Sequence, residues 1–161
     1  MREARALEAI RAPFAMARAH GMARRSKAAD EGAAMPGDRT KVYFDGGCRP
    51  NPERMEAAVV VRGEVHLFAD MGQGGSLDAE WLALIEALSI VRAQGLDDAV
   101  LLGDALAVVG KAQEVLATGR AEGVHAMRFR ALAEAGPPVR LRWIRRGQNL
   151  AGIALARRHP R

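Results

Sequence analysis

Asp45, Glu80 and Asp104 are acidic residues placed where a fold has least use for charge. Asp45 ends the alternating run Lys41-Val-Tyr-Phe-Asp, just before Gly46-Gly47. Glu80 shares a helical face with Leu84, Ala87 and Val91, which would bury a charge with no structural benefit. Asp104 follows the apolar run Ala99–Leu102 and Gly103. Each has an ordinary alternative role. Asp45 could bond its own turn, Glu80 could complement a helix dipole, and Asp104 could cap the next helix. As a set they offer hard oxygen ligands suited to Mg²⁺ or Mn²⁺, and without a cation they would repel one another.

The balance of charge points to a polyanionic partner. The 161-residue chain carries a formal net charge of +5, and from Ala135 to Arg161 it has seven arginines and no Asp or Glu. A one-signed basic stretch of this kind favours phosphate, and nucleic acid is the candidate. The competing explanation is a generally arginine-rich composition, since only Lys27, Lys41 and Lys111 break the preference for arginine. The single Cys48 excludes an internal disulfide framework, and no run of about 20 apolar residues is available to cross a bilayer. The N-terminus, with Arg2, Glu3, Arg5 and Glu8 ahead of any apolar run, is unlike a secretory signal, so a cytoplasmic location is expected.

The elements that must position the acids follow from periodicity. Residues 1–39 are Ala- and Arg-rich, with a helix-like stretch Arg2–Ala12 and then a small-residue linker, and are expected to be a flexible extension to a domain spanning 40–161. Alternation from Lys41 predicts a strand closed by Gly46-Gly47, and Ala57–Val61 and Val65–Ala69 predict a hairpin about Arg62-Gly63-Glu64. Leu77–Ala93 has helical spacing of Trp81, Leu84, Ile85, Leu88 and Val91, with Ser76 or Asp78 as cap and Gly95 as stop. A strand over Ala99–Leu102, helices over Ala105–Ala117 and Glu122–Glu134, a strand over Val139–Ile144 and a helix over Asn149–Arg158 complete the order β-β-β-α-β-α-α-β-α.

With acids at the end of the first strand, the start of the first helix and the end of the fourth strand, this order resembles the ribonuclease H family. The likeness covers Lys41 to about Arg158. It rests on Tyr43-Phe-Asp-Gly-Gly-Cys-Arg-Pro-Asn-Pro, Asp78-Ala-Glu-Trp-Leu-Ala-Leu-Ile-Glu-Ala-Leu, Leu102-Gly-Asp-Ala-Leu-Ala-Val-Val and Trp143-Ile-Arg-Arg-Gly-Gln-Asn-Leu-Ala-Gly-Ile-Ala-Leu-Ala, in that sequence. The resemblance implies an α/β fold: a five-stranded mixed sheet, three antiparallel strands followed by two parallel to the first, flanked by helices. It also implies hydrolysis of the RNA strand of RNA/DNA hybrids with two Mg²⁺ ions, for which Mn²⁺ can substitute. Asp45 would bridge the ions, and Glu80 and Asp104 would hold the one on the leaving-group side. The nucleic-acid contacts it implies are Gly46, Asn51, Ser76, Arg145, Arg146 and Asn149.

One departure bears on activity. Aligned on Asn149 and Leu155-Ala156, the family's fourth acid falls at Ile153, and no Asp or Glu follows Glu134. Gln148, Asn149 or water could substitute, substrate phosphate could supply the ligand, or the domain could bind nucleic acid without cutting it. The His loop before the last helix is also absent, as in abbreviated members with an Arg followed shortly by Asn, here Arg146 and Asn149. Trp81 and Trp143 are expected in the core. His20, His66, His125 and His159 are expected at the surface, as are Asp70, Asp78, Glu86 and Asp97.

Overall fold

The computed structural model describes residues 39–159 apart from Asn51, so the Arg2–Ala12 stretch, the linker before Arg39 and the expected contact at Asn51 lie outside the described residues. Strand β1 (Lys41–Cys48) is central. It pairs antiparallel with β2 (Glu53–Val61), which pairs antiparallel with β3 (Glu64–Phe68). On its other side β1 pairs parallel with β5 (Val100–Gly103), and β5 pairs parallel with the edge strand β6 (Arg140–Trp143). The expected five-stranded mixed sheet is this path, β3-β2-β1-β5-β6, and a two-residue strand β4 (Gln73–Gly74) adds to β2.

Among the described residues four helices cover the sheet: α1 (Ser76–Gln94), α2 (Leu106–Thr118), α3 (Val124–Glu134) and, after a 3-10 turn at Arg146–Gln148, α4 (Leu150–Arg157). Alternation assigns the two faces. Val42 and Phe44 join Ala57, Val59 and Val61 in the main core with Leu84, Leu88, Val108 and Phe129. Tyr43, Ala58 and Val60 face the other way, against Ala151 and Leu155 of α4. Full burial of side chains such as Phe44 and Leu84 contributes roughly 1.5–3 kcal/mol each, enough to make this pattern decisive for register. The unbroken apolar run of β5 fits a parallel strand buried on both faces, whereas β6 alternates buried Leu141 with exposed Arg140 and Arg142.

Several local expectations are corrected. Gly46-Gly47 do not close β1; the strand continues to Cys48 because β2 starts at Glu53 and pairs Met55, Glu56 and Ala57 with Cys48, Gly47 and Gly46. The hairpin turn is two residues, Arg62-Gly63, both at positive φ, which matches the twist of the flanking strands. Neither Ser76 nor Asp78 is the N-cap of α1. That position is Gly75, whose N–H donates to Asp78 Oδ2 at 3.0 Å. Ala105, not Asp104, caps α2, and α3 begins after Gly123. In α4, Leu155 is buried but Ala156 is exposed.

Candidate active site

Asp45 sits within β1, Glu80 just past the first turn of α1, and Asp104 directly after β5. Parallel pairing sets Tyr43 of β1 beside Leu102 of β5, so Asp104, just past the end of β5, comes level with Asp45 in the middle of β1. Glu80 arrives through Gly46. A Cβ at that position would fall on the Ala79 carbonyl, so only glycine lets the start of α1 lie against the strand. The Gly46 N–H then donates to Glu80 Oε2 at 3.2 Å. The result is one oxygen from each of the three acids within 4.8 Å of the others, a donor set that fits a hard divalent cation.

Electrostatics show how unfavourable the cluster is without a cation. Burial, then the charge and hydrogen bond of Asp104, push Asp45 up to about 7, with Arg146 and Arg49 opposing. Burial and the charge of Asp45 push Glu80 up to about 8, against the Gly46 N–H and Arg146. Both folded values lie above those of an unfolded chain, so the native state holds protons that the unfolded state has released. Stability from these groups is therefore fully present below the ordinary carboxylate range and lost as pH rises through about 7 to 8. We expect the melting temperature in chelator to fall by several degrees from about pH 5 to about pH 8, and Mg²⁺ to restore more at the higher pH, where its ligands are deprotonated. Melting curves at the two pH values, with and without Mg²⁺, check this; a Mg²⁺ effect independent of pH would contradict it.

Asn149 is corrected from an expected nucleic-acid contact to a buried strut. It is 0% exposed. Its Nδ2 donates to the Phe44 carbonyl at 2.9 Å and to Asp104 Oδ1 at 3.1 Å, and its Oδ1 accepts from Ala151 N–H at 3.1 Å, capping α4. One side chain thus ties β1, Asp104 and α4 together. Asn149→Ala removes the cap and leaves a buried carbonyl unpaired, for an expected loss of about 2–3 kcal/mol and a melting temperature lower by on the order of 10 °C. Thermal denaturation measures it, and an unchanged midpoint would show that water replaces the amide.

The other expected contacts are exposed: Ser76 begins α1, and Arg145 and Arg146 lead into the 3-10 turn. The backbone N–H of Gly46 is already engaged by Glu80. Gln148, one of the proposed substitutes for the fourth acid, accepts from Arg145 N–H with its Oε1 at 3.3 Å. Trp81 packs at the core edge against Phe129, but Trp143 is 46% exposed, contrary to expectation, because its strand ends at the sheet rim.

Sequence reasoning missed Gly152 and Glu56. A Cβ at Gly152 would lie 3.5 Å from Asp45 Oδ2, in ordinary van der Waals contact, so this part of α4 passes directly beside the acids. Its neighbour Ile153 is half-exposed. Glu56 is buried on the α4 side of β2, with His159 Nε2 at 2.6 Å and Arg158 Nε at 3.8 Å, and fastens the end of α4. Period-2 alternation with Ala58 and Val60 would have placed Glu56 inward had β2 been extended to Glu53. His125, expected at the surface, is partly buried and bonds Asp78 at 3.0 Å.

Three antiparallel strands joined at β1 to two parallel ones, with three convergent acids, define a ribonuclease H-like protein. Residues 43–159 match the model of the reverse transcriptase-like family, and the chain belongs to that family. Among solved structures it resembles ribonuclease H1 from the halophilic archaeon Halobacterium salinarum, at 26% identity and TM-score 0.57, covering 73% of this chain and 94% of that one. It also resembles LC11 ribonuclease H1 in complex with an RNA/DNA hybrid, at 25% identity and TM-score 0.56, covering 70% and 89%. A ribonuclease H domain from Mycobacterium tuberculosis, at 22% identity and TM-score 0.56 over 76% and 99%, shares the fold. No curated protein gives a significant sequence match.

Proposed function

We propose that this domain is a divalent-metal-dependent endonuclease that hydrolyses the RNA strand of RNA/DNA hybrids, with activity weakened by Ile153. The observation that carries this reading is the convergence of Asp45, Glu80 and Asp104, from three separate elements, on one point that packing alone would not fill with charge. The likeness to a ribonuclease H1 bound to a hybrid supports the substrate class. Asp45, Glu80 and Asp104 would hold Mg²⁺ or Mn²⁺. When bound, such ions supply Lewis-acid polarisation and charge neutralisation at the scissile phosphate.

The chain's own residues set the geometry for this chemistry. Asn149 fixes Asp104, the Gly46 N–H fixes one oxygen of Glu80, and α4 passes beside Asp45 at Gly152. Arg146, exposed and close enough to pull both Asp45 and Glu80 downward, is placed to meet a phosphate entering the site. Arg140, Arg142 and Arg145 extend the same basic edge. Arg146→Ala should weaken hybrid binding similarly across sequences and flatten the dependence of log affinity on log salt by about one unit. Affinity titrations at several salt concentrations test this, and altered sequence preference with an unchanged slope would refute a phosphate role.

A second reading is a nucleic-acid-binding module that does not cut. It is favoured by the lack of any Asp or Glu after Glu134. Cleavage of an end-labelled hybrid in Mg²⁺ or Mn²⁺, compared with Asp45→Asn, separates the two. Metal-dependent product from the natural protein alone supports the nuclease.

A further inference from the structure

Arg39, Thr40, Lys41, Tyr43, Arg62 and Gly63 line an open cavity of about 390 Å³ at the start of β1, beside the turn between β2 and β3. The acids lie further along that strand: Asp45 is four residues beyond Lys41, about 13 Å at about 3.3 Å per residue. The cavity is therefore separate from the acidic site. Its three charged side chains are all cationic, and no acid lines it. Among the described residues none of the three forms an ion pair.

The fold gains nothing from this grouping. Val42 pairs with Val61, so the next residues, Lys41 and Arg62, stand beside one another where β1 begins and β2 ends. Like charges opposed across a ladder cost stability. Arg62 also has a φ of 51°, in the left-handed region, at a turn position where Asn, Asp or Gly is the usual occupant. A cation stands there although a smaller residue would suit the turn better. An anion held between the side chains turns their mutual repulsion into attraction.

The donors define the kind of anion. Guanidinium groups present paired N–H donors that match phosphate oxygens, Lys41 adds a compact charge and Thr40 carries a hydroxyl. Three positive charges suit a group with two or more negative ones better than a single carboxylate. The volume lies at the small end of the range for ligand cavities, on the order of 300 to 1,000 Å³, which is the scale of a nucleotide. Tyr43 packs with Ala58 and Val60, so it offers an aromatic wall already held in place.

We infer that this cavity is a second, metal-independent site that binds a phosphate group carrying at least two negative charges, supplied by a free nucleotide-sized compound or by the terminal phosphate of a nucleic-acid strand. The full chain in chelator is titrated by calorimetry with pyrophosphate, with a nucleoside 5′-monophosphate, and with a short single strand bearing or lacking a 5′-phosphate. Pyrophosphate should bind saturably, with affinity reduced at least about tenfold in Lys41→Gln and in Arg62→Gly, the scale of losing one charge-assisted hydrogen bond. Glycine suits the positive φ at position 62, so Arg62→Gly keeps the turn, and its melting temperature without anion should equal or exceed that of the natural protein. A gain from the 5′-phosphate that disappears in the same variants assigns the site to nucleic-acid ends; its absence assigns the site to free phosphate compounds. No saturable binding of pyrophosphate in the millimolar range would overturn the inference, as would binding that either variant retains unchanged. Chelator is present throughout, so the result is independent of whether the acids support cleavage.

Discussion

Replacing Asp45 with Asn should lower metal-dependent cleavage of a hybrid by on the order of a thousandfold, while raising the melting temperature of the metal-free protein near neutral pH. The two effects have one origin. Asp45 is 8% exposed, sits beside Asp104 and Glu80, and has its acidity weakened to about 7 by burial and by Asp104. An amide of the same shape removes the repulsion and the burial of charge, which stabilises the fold, and removes one of the three carboxylates that would hold a divalent cation, which would disable the site. A residue whose loss strengthens the fold and silences the chemistry is held in place by function. The measurement pairs initial cleavage rates in Mg²⁺ with melting curves in chelator. Undiminished cleavage by the variant would remove Asp45 from the active site, and a lowered melting temperature would show that its carboxylate is structural.

Ile153→Asp should raise cleavage by roughly tenfold or more and lower the Mg²⁺ concentration needed for half-maximal rate. The fourth oxygen donor implied by the family resemblance is missing from α4, although the helix itself comes close: a Cβ at Gly152 would be in van der Waals contact with Asp45. Ile153, on the next residue, is 39% exposed. Exchanging it for Asp therefore sacrifices little buried apolar surface, and the expected change in stability is below about 1 kcal/mol in the metal-free state. Rates against Mg²⁺ and Mn²⁺ for both proteins give the answer. Equal rates and equal metal requirements would mean that another group already completes the ligand set.

How much of this was legible in the chain varies with the range of the interaction involved. Period-2 alternation from Lys41 to Asp45 and the spacing of Trp81, Leu84, Ile85, Leu88 and Val91 determine β1 and α1, because each side chain's face follows from local geometry. The order of acids along these elements was sufficient to nominate Asp45, Glu80 and Asp104. What the chain could not reveal is who meets whom across the sheet. Gly46 reads locally as a turn residue, and only the packing of Ala79 against it shows that it admits a helix into contact with β1. Asn149 reads as a polar residue available to a ligand, yet its partners are Phe44 and Asp104, 105 and 45 residues away. Trp143 reads as core, and is left at the rim because β6 is the last strand of the sheet. Propensity and periodicity act over a few residues and are written into the sequence. The convergence of the three acids and the strut at Asn149 depend on which strands pair and how closely α1 and α4 approach them, and these are set by burial summed over the whole fold.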